Sequence, residues 1–170
     1  MTIFLIGDTH FGHKNILTFT REDGSPLRNF SSIEEMDEYL VEKWNSVVKD
    51  DDTVYHLGDV VMNRKNLHIV HRLKGKKILI RGNHDSAPIS ELLQYFQEIY
   101  GTHNFKDMIL SHIPIAEECL DRFGVNVHGH LHAKSMNNPK YFNVSVEQIG
   151  YTPISLEELR KRIAIVQGKR

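Results

Sequence analysis

The chain lacks several features that would place it in a special class of protein. It has one cysteine, Cys119, in 170 residues, so no intrachain disulfide can form and a reducing, cytoplasmic setting is expected. No apolar run approaches the roughly 20 residues that cross a bilayer, and the apolar start lacks the basic residues of a signal peptide. The net charge of −1 gives no support for stable nucleic-acid binding or for a membrane-surface protein.

Histidine stands out against an otherwise ordinary composition. The chain is 40% hydrophobic and 25% charged, and its length favours a single domain, residues 1–170, with a substantial core. It contains 11 histidines, more than chance suggests. Their placement tells more than their number, because several lie in short polar patches, namely His10, His84, His112, His130 and His132.

Each of these polar patches follows a short apolar run that is predicted to be a β-strand. In chain order the patches read Gly7-Asp8-Thr9-His10, Gly58-Asp59, Gly82-Asn83-His84-Asp85, Ser111-His112 and His128-Gly129-His130-Leu131-His132. In open α/β sheets, ligands bind outside the carboxyl ends of the strands. The sequence therefore predicts that these side chains meet at one shared site.

Apolar periodicity predicts the order of the elements around the patches. Strands are predicted at 2–6, 53–57, 77–80, 108–110, 125–127 and 141–146. Helices are predicted from Ser32, at 88–99 and from Ser155, with a weakly helical segment at 65–73 and a long polar loop at 18–31. The first half alternates strand and helix, which implies parallel βαβ units, whereas the second half is richer in strands.

The residue types in the patches suit a pair of divalent metal ions. Asp and His supply oxygen and neutral imidazole donors for Mn, Fe, Ni or Zn. Asp8 and His10, like His130 and His132, are two residues apart, and on extended chain this spacing turns both side chains to one side. The glycines before several of these residues allow tight backbone bends. Each patch alone is ordinary turn chemistry, but together they indicate a two-metal site, which predicts hydrolysis at phosphorus.

The ordered set Asp-x-His, Gly-Asp, Gly-Asn-His-Asp, a lone His and Gly-His-x-His resembles the calcineurin-like metallophosphoesterase superfamily. The blocks run from residue 7 to residue 132 in the family's order, and the small size is similar to its bacterial and phage members. The resemblance implies an α/β fold, a four-layer sandwich of two mixed β-sheets flanked by helices. It also implies a metal site at the carboxyl ends of the strands.

The resemblance further implies a role for each matching residue. One metal ion would be held by Asp8, His10 and His132. The other would be held by Asn83, His112 and His130. Asp59 would bridge the two ions, and His84 would be catalytic, facing the substrate phosphate without binding metal. The expected cofactors are two divalent ions, with Mn as the first choice and Fe, Ni or Zn as alternatives.

The implied activity is hydrolysis of a small phosphodiester or phosphomonoester, with nucleotide-derived esters among the candidates. A hydroxide that bridges the two metal ions would attack phosphorus. Some family members have a second Asp three residues after the bridging one, where it orients the catalytic His. Met62 occupies that position here, and Asp85 is the nearest substitute. We therefore expect a generalist enzyme or one that prefers phosphodiesters.

Four further residues are candidates for substrate contact. They are His13, which follows the first patch, Arg21 and Arg28 in the long loop, and Arg64 shortly after Asp59. The main alternative function is a non-catalytic protein-binding scaffold on the same fold, but every ligand position is filled. A binuclear hydrolase of the metallo-β-lactamase type would need a clustered His-x-His-x-Asp-His block, which the chain does not have.

Overall fold

The structure is a computed structural model that describes residues 1–169. Within these residues the chain forms the strands β1 Ile3–Ile6, β2 Thr53–His56, β3 Lys76–Ile80, β4 Glu98–Tyr100, β5 Thr102–Phe105, β6 Met108–Ser111, β7 Val125–His128, β8 Tyr141–Asn143 and β9 Ile154–Ser155. The α-helices are α1 Ile33–Val47, α2 Ile89–Leu92 and α3 Leu156–Val166. Short 3-10 helices cover Lys14–Thr18, Arg64–Arg72 and Glu117–Cys119.

The strands form two mixed sheets with helices beside them. The first sheet has the order β4-β3-β2-β1-β9, in which β1 to β4 are parallel and β9 is antiparallel to β1. The second has the order β5-β6-β7-β8, in which β5 is antiparallel to β6 and the other neighbours are parallel. The fold class of two mixed sheets with flanking helices, implied by the resemblance, is confirmed.

Parallel register brings the polar patches to one edge of the molecule. Strands β1, β2 and β3 are largely buried apolar runs, as expected for strands covered on both faces. Ile6 pairs with His56 and His56 pairs with Leu79, so these three strands end level with one another. Backbone hydrogen bonds then join the sheets at that edge, because Gly7 N–H donates to the Val144 carbonyl oxygen at 2.9 Å.

Two helix starts follow the predicted capping chemistry. The Ser32 hydroxyl accepts a hydrogen bond from Glu35 N–H at 3.1 Å, and the Ser155 hydroxyl accepts one from Glu158 N–H at 3.2 Å. Helix α1 buries its apolar face, including Trp44, in the main hydrophobic core, to which both sheets contribute. Within residues 1–169, no helix has the length and apolar character needed to cross a membrane.

The second half of the chain departs most from the sequence-based expectation. The helix predicted at 88–99 is wrong beyond α2, because Gln97 N–H donates to the Lys77 carbonyl oxygen and the chain joins the first sheet as β4. Ile89 and Leu93, two apolar residues of that predicted helix, are exposed. The strand predicted at 141–146 ends at Asn143. Strands β4, β5 and β9 were not predicted, since each is short and lacks a clear apolar alternation.

Candidate metal centre

The five polar patches meet at the edge where β1, β2, β3, β6 and β7 end. Their Asp and His side chains form two groups, in each of which the potential ligand atoms lie within 4.8 Å of one another. The Asp8 group consists of Asp8, His10 and His132. The Asp59 group consists of Asp59, His112 and His130. The sequence-based expectation that these side chains share one site agrees with this arrangement.

Asp59 lies between the two groups. Its Oδ2 atom is 3.4 Å from His10 Nε2 in one group and 3.3 Å from His112 Nε2 in the other. Its Oδ1 atom accepts a hydrogen bond from the backbone N–H of His84 at 2.9 Å. Asn83 Oδ1 lies 2.9 Å from His112 Nε2 and adds a neutral oxygen to the Asp59 group. A single carboxylate thus faces both groups, as a bridging ligand must.

Two polar atoms of the Asp8 group are buried without a hydrogen-bond partner in the described part of the chain. They are Asp8 Oδ1 and His10 Nε2, which lie 3.7 Å apart. Buried polar atoms are normally paired, so an unpaired carboxylate oxygen facing an unpaired imidazole nitrogen calls for a third partner. Carboxylate, amide and imidazole donors are the set that first-row divalent ions accept. The residues present therefore fit a divalent metal ion.

The backbone at the ligand positions is left-handed rather than extended. Asp8, His10, Asp59, His130 and His132 have φ angles of 57°, 50°, 56°, 67° and 51°. The expectation that the two-residue spacing works through extended chain is therefore wrong. Asp8 and His10 do face the same group, whereas His130 and His132 face different groups. Non-glycine residues rarely adopt such angles, and each instance costs about 1–3 kcal/mol. Strain of this kind is concentrated where side chains must be aimed at a ligand.

Two glycines make room for the acidic side chains. A Cβ atom on Gly82 would lie 2.3 Å from Asp59 Oδ1, and one on Gly129 would lie 2.2 Å from Asp8 Oδ2. Neither glycine has a positive φ, so both are needed for close approach rather than for a bend. Gly129 thereby lets Asp8 Oδ2 accept the backbone N–H of His130 at 2.9 Å.

Hydrogen bonds behind the imidazoles fix which ring nitrogen faces the centre. His112 Nδ1 lies 2.7 Å from the Leu57 carbonyl oxygen, which can only accept, so Nδ1 carries the proton and Nε2 points toward Asp59. His132 Nδ1 lies 2.9 Å from Glu147 Oε1, which leaves its Nε2 facing Asp8 Oδ1 at 3.8 Å. In the neutral form of both rings, Nε2 is therefore the atom that can bind a metal ion.

Arg28 is held behind the centre and does not face a substrate. Its side chain is 0% exposed, and its Nε donates to Glu147 Oε1 at 2.8 Å. Its Nη1 donates to the Thr9 carbonyl oxygen at 2.8 Å and its Nη2 to that of Asp8. The expectation that Arg28 clamps a phosphate is therefore wrong, because its guanidinium is buried and fully engaged. Sequence reasoning missed Glu147, whose one signal is its position directly after the predicted strand 141–146.

Electrostatics keep the central carboxyl groups ionised. Burial alone would raise the pKa of Asp59, but the nearby imidazoles of His10 and His112 lower it far below its usual range. The pKa of Asp8 is lowered in the same way, since the neighbouring imidazoles outweigh its burial. Burial favours neutral His112, but the hydrogen bond to Asp59 prevails and raises its pKa to about 8. The protein without metal thus presents anionic oxygens to an incoming cation.

Asp85 does not orient His84. Its Oδ2 atom accepts the backbone N–H groups of Asp59 at 2.8 Å and of Gly82 at 2.7 Å, and its Oδ1 accepts that of Val60 at 2.9 Å. The carboxylate therefore shapes the two loops that carry Asp59 and Asn83. The His84 ring is exposed, and its centroid lies 5.7 Å from that of His10, at the open side of the centre.

The other substrate-contact candidates lie in different surroundings. His13 is buried beside His10, with ring centroids 5.2 Å apart, and burial lowers its pKa to about 4. Arg64 is 63% exposed and pairs with Glu91 at 2.5 Å. Arg21 lines a cavity of about 930 Å³ whose walls come from residues 19–27 and 130–137. His130 and His132 line the same cavity, which therefore opens onto the centre.

Comparison with known proteins identifies relatives along nearly the whole chain. A family model described as calcineurin-like phosphoesterase matches residues 1–167. The uncharacterized protein MJ1445 of Methanocaldococcus jannaschii is 38% identical over 172 residues, covering 95% of this chain and 90% of its own. The crystal structure of AQ665 from Aquifex aeolicus, titled a protein of unknown function, superposes with a TM-score of 0.70 at 30% identity, covering 95% of this chain and 98% of its own. The gene 66 protein of Mycobacterium phage L5 is 37% identical over 84 residues, covering 46% of this chain and 37% of its own.

Proposed function

The chain belongs to the calcineurin-like phosphoesterase family, and from that membership we propose that it is a binuclear metal-dependent phosphodiesterase acting on a small organic phosphoester. The family implies a phosphoester hydrolase that uses divalent metal ions. The nuclearity, the ester type and the residue roles are our proposal. One ion would be held by Asp8, His10 and His132, the other by Asn83, His112 and His130, with Asp59 shared between them.

The observation that carries this proposal is the position of Asp59. Its Oδ2 atom lies within 3.4 Å of one imidazole from each group, and no other carboxylate in residues 1–169 has that relation to both groups. The unpaired buried atoms Asp8 Oδ1 and His10 Nε2 support an ion on one side. The convergence of Asn83, His112 and His130 supports an ion on the other.

The residues of the chain divide the chemical work between them. Bound divalent ions supply Lewis acidity, which lowers the pKa of water toward neutrality and offsets charge on the phosphoryl oxygens. The exposed His84 ring donates a hydrogen bond to a phosphoryl oxygen or to the departing alkoxide, a contribution typically worth about 10²–10⁴-fold. Neutral Asn83 adds an oxygen donor without adding another negative charge to the anionic centre.

A preference for diesters follows from the surroundings of His84. Within residues 1–169 no carboxylate hydrogen-bonds to its ring, because Met62 replaces one acidic partner and Asp85 is engaged by backbone N–H groups. Without such a partner, no carboxylate fixes the orientation of the ring. A phosphodiester carries one negative charge less than a monoester dianion and depends less on a precisely placed donor. The site therefore suits diesters better than monoesters.

The cavity beside the centre supports a substrate with a sizeable organic group. Its volume of about 930 Å³ is far larger than a phosphate needs and is typical of pockets for small organic molecules. Phe19 in its wall is 47% exposed and offers a flat apolar face, and Arg21 lies two residues further along the same wall. Stacking on an aromatic side chain suits a nucleobase, so nucleotide-derived diesters belong to the proposed substrate class.

The proposal is tested on metal-reconstituted protein with chromogenic esters. With Mn²⁺ added, we expect hydrolysis of bis-p-nitrophenyl phosphate to exceed that of p-nitrophenyl phosphate, and EDTA to abolish both. Thymidine 5′-(p-nitrophenyl phosphate) should be a better substrate than methyl p-nitrophenyl phosphate, which has the same leaving group but no base. A clear monoester preference would contradict the diesterase assignment. A protein that binds two ions but hydrolyses none of these esters would instead favour the scaffold function.

A further inference from the structure

A buried ion pair lies behind the Asp8 group and is not part of the proposed ligand set. The side chains of Arg28 and Glu147 are both 0% exposed, and Arg28 Nε lies 2.8 Å from Glu147 Oε1. The same Oε1 atom is 2.9 Å from His132 Nδ1. A buried ion pair is seldom retained for stability alone, because desolvation costs as much as the attraction returns. The pair therefore calls for a functional account.

We propose that Glu147 and Arg28 are positioning residues that strengthen metal binding by the Asp8 group and leave the Asp59 group unaffected. This inference rests on the proposed function for the existence of two ion positions. It adds that the two ion positions are stabilised by different residues behind the ligands. Neither residue belongs to any polar patch of the sequence.

Glu147 acts on His132. A carboxylate that accepts the Nδ1 proton fixes the tautomer and makes the opposite Nε2 atom a stronger donor to a metal ion. Here that Nε2 atom faces Asp8 Oδ1. The second oxygen, Glu147 Oε2, is buried without a hydrogen-bond partner in the described chain, so its charge is not dispersed over further donors. Asp85 differs from Glu147 in this respect, because backbone N–H groups donate to both of its carboxylate oxygens.

Arg28 acts on Asp8 as well as on Glu147. Its guanidinium compensates the buried charge of Glu147 and donates to the carbonyl oxygens of Asp8 and Thr9. It therefore holds the left-handed backbone at Asp8, where φ is 57°, in the orientation that aims the carboxylate at the centre. The Arg28 side chain thus ties the loop after β1 to Glu147, which in turn contacts the His132 ring.

Within residues 1–169, the imidazole rings of the Asp59 group have no comparable charged support, because the buried Asp85 carboxylate binds backbone N–H groups and not a ring. His112 Nδ1 donates a hydrogen bond to the Leu57 carbonyl oxygen, a neutral backbone group. His130 Nδ1 lies 3.3 Å from His112 Nε2, and neither ring contacts a carboxylate outside the proposed ligands. Removing the charge of Glu147 should therefore weaken one ion position and spare the other.

The test measures Mn²⁺ affinity of the full-length protein without substrate, by calorimetry and by electron paramagnetic resonance. Glu147→Gln keeps the size and a hydrogen-bond acceptor but removes the charge. We expect one of the two affinities to fall about 10–100-fold, as is usual for partners of metal-binding histidines, with the other unchanged. In an Asn83→Ala background the remaining affinity should fall by the same factor. Glu117→Gln, which removes an exposed glutamate paired with Lys140, is the matched control and should change neither affinity.

A second variant separates positioning from folding. Glu147→Gln leaves the Arg28 guanidinium buried without a negatively charged partner, so the thermal stability of the metal-free protein should fall. The double variant Arg28→Met, Glu147→Gln removes both charges and should regain much of that stability while the metal affinity stays low. Recovery of wild-type affinity in the double variant, or equal weakening of both positions in the single one, would overturn the inference. A wild-type protein that binds two ions but hydrolyses no ester would contradict the proposed function and leave this inference standing.

Discussion

The Asp8 group and the Asp59 group carry similar ligands but stand in different surroundings. Asp8 and His10 are 0% and 2% exposed, and a buried arginine and glutamate support their group from behind. Each group has two buried members and one half-buried histidine, so the difference lies in what adjoins them, and exposed Asn83 lies beside the Asp59 group. The first group is thus backed by buried charged side chains, and the second is open to solvent at Asn83. We infer that the first holds its ion firmly and that the second gives access to substrate.

The largest effect is expected from the residue that belongs to both groups. Asp59→Asn removes the shared negative charge that faces His10 and His112. We expect both ions to be lost from the purified protein and hydrolysis of bis-p-nitrophenyl phosphate to fall to the metal-free background. Elemental analysis together with the assay checks this. If the variant kept one ion per chain and normal turnover, the two groups would be independent and Asp59 would not bridge them.

His84→Ala should leave both groups intact and remove the donor that faces them. The His84 ring forms no hydrogen bond to any ligand, and only its backbone N–H reaches Asp59. We expect full metal content with a loss of about 10²–10⁴-fold in kcat. His68→Ala, a change at an exposed histidine of the segment Arg64–Arg72, is the control. Unchanged turnover in the first variant would remove His84 from the proposed mechanism.

A chelator should remove the two ions from the wild-type protein at different concentrations. The Asp8 group offers its own carboxylate as well as the shared one, whereas the Asp59 group adds only neutral Asn83 to it. Because ligand charge tunes metal affinity, the two dissociation constants should differ by about tenfold or more. Titration with EDTA, followed by electron paramagnetic resonance of Mn²⁺, should show removal in two steps. A single step in which both ions leave together would contradict the unequal supports.

A smaller effect concerns His56, which lies beneath the Asp8 group. Its Nε2 atom donates to the Thr9 hydroxyl, which itself donates to the Val60 carbonyl oxygen, and its Nδ1 accepts Gly58 N–H at 3.2 Å. Both ring nitrogens are thus satisfied only in the neutral form, and burial lowers the pKa of His56 to about 3. Since the unfolded chain keeps a pKa near 6.5, it binds the extra proton first as the pH falls.

The expected consequence is a loss of stability on acidification of the metal-free protein. This contribution is fully present above pH 6.5 and declines toward pH 3 by about 1.4 kcal/mol per pH unit. His56→Gln should flatten the dependence of unfolding free energy on pH by that amount, and His68→Gln should not. Denaturant unfolding between pH 4 and pH 7 provides the measurement. Equal slopes for wild type and His56→Gln would show that His56 is charged in the folded protein.

The sequence was enough to predict that the polar patches meet at one site, but not the backbone conformation that aims their side chains. Asp8 and Asp59 each follow a buried strand, and parallel register alone carries such residues to one edge. The left-handed backbone at these residues could not be predicted, because hydrogen bonds across loops impose it: Asp8 N–H donates to the Gly58 carbonyl oxygen at 2.9 Å, for example. Local spacing carries no information about partners so distant in the chain.

The residues that support the proposed ligands were the hardest part of the site to predict from the sequence. An arginine in a polar loop, such as Arg28, is expected to be solvated or to bind substrate. Its actual partner Glu147 is far away in the sequence, so the ion pair could not be predicted from neighbouring residues. The helix predicted at 88–99 failed for a related reason, because pairing of β4 with β3 outweighs the apolar periodicity of Leu93 and its neighbours. In both cases a long-range contact overrides a local preference.

Gly82 and Gly129 show how far the demands of the centre extend. Neither residue has a side chain to offer an ion, yet one added carbon at either position would occupy the space of a carboxylate oxygen, 2.3 Å from Asp59 Oδ1 or 2.2 Å from Asp8 Oδ2. A saturation mutagenesis map should therefore show these two positions as intolerant as the aspartates themselves. Without the structure, such a map would suggest a chemical role for two glycines whose task is to leave room for carboxylate oxygens.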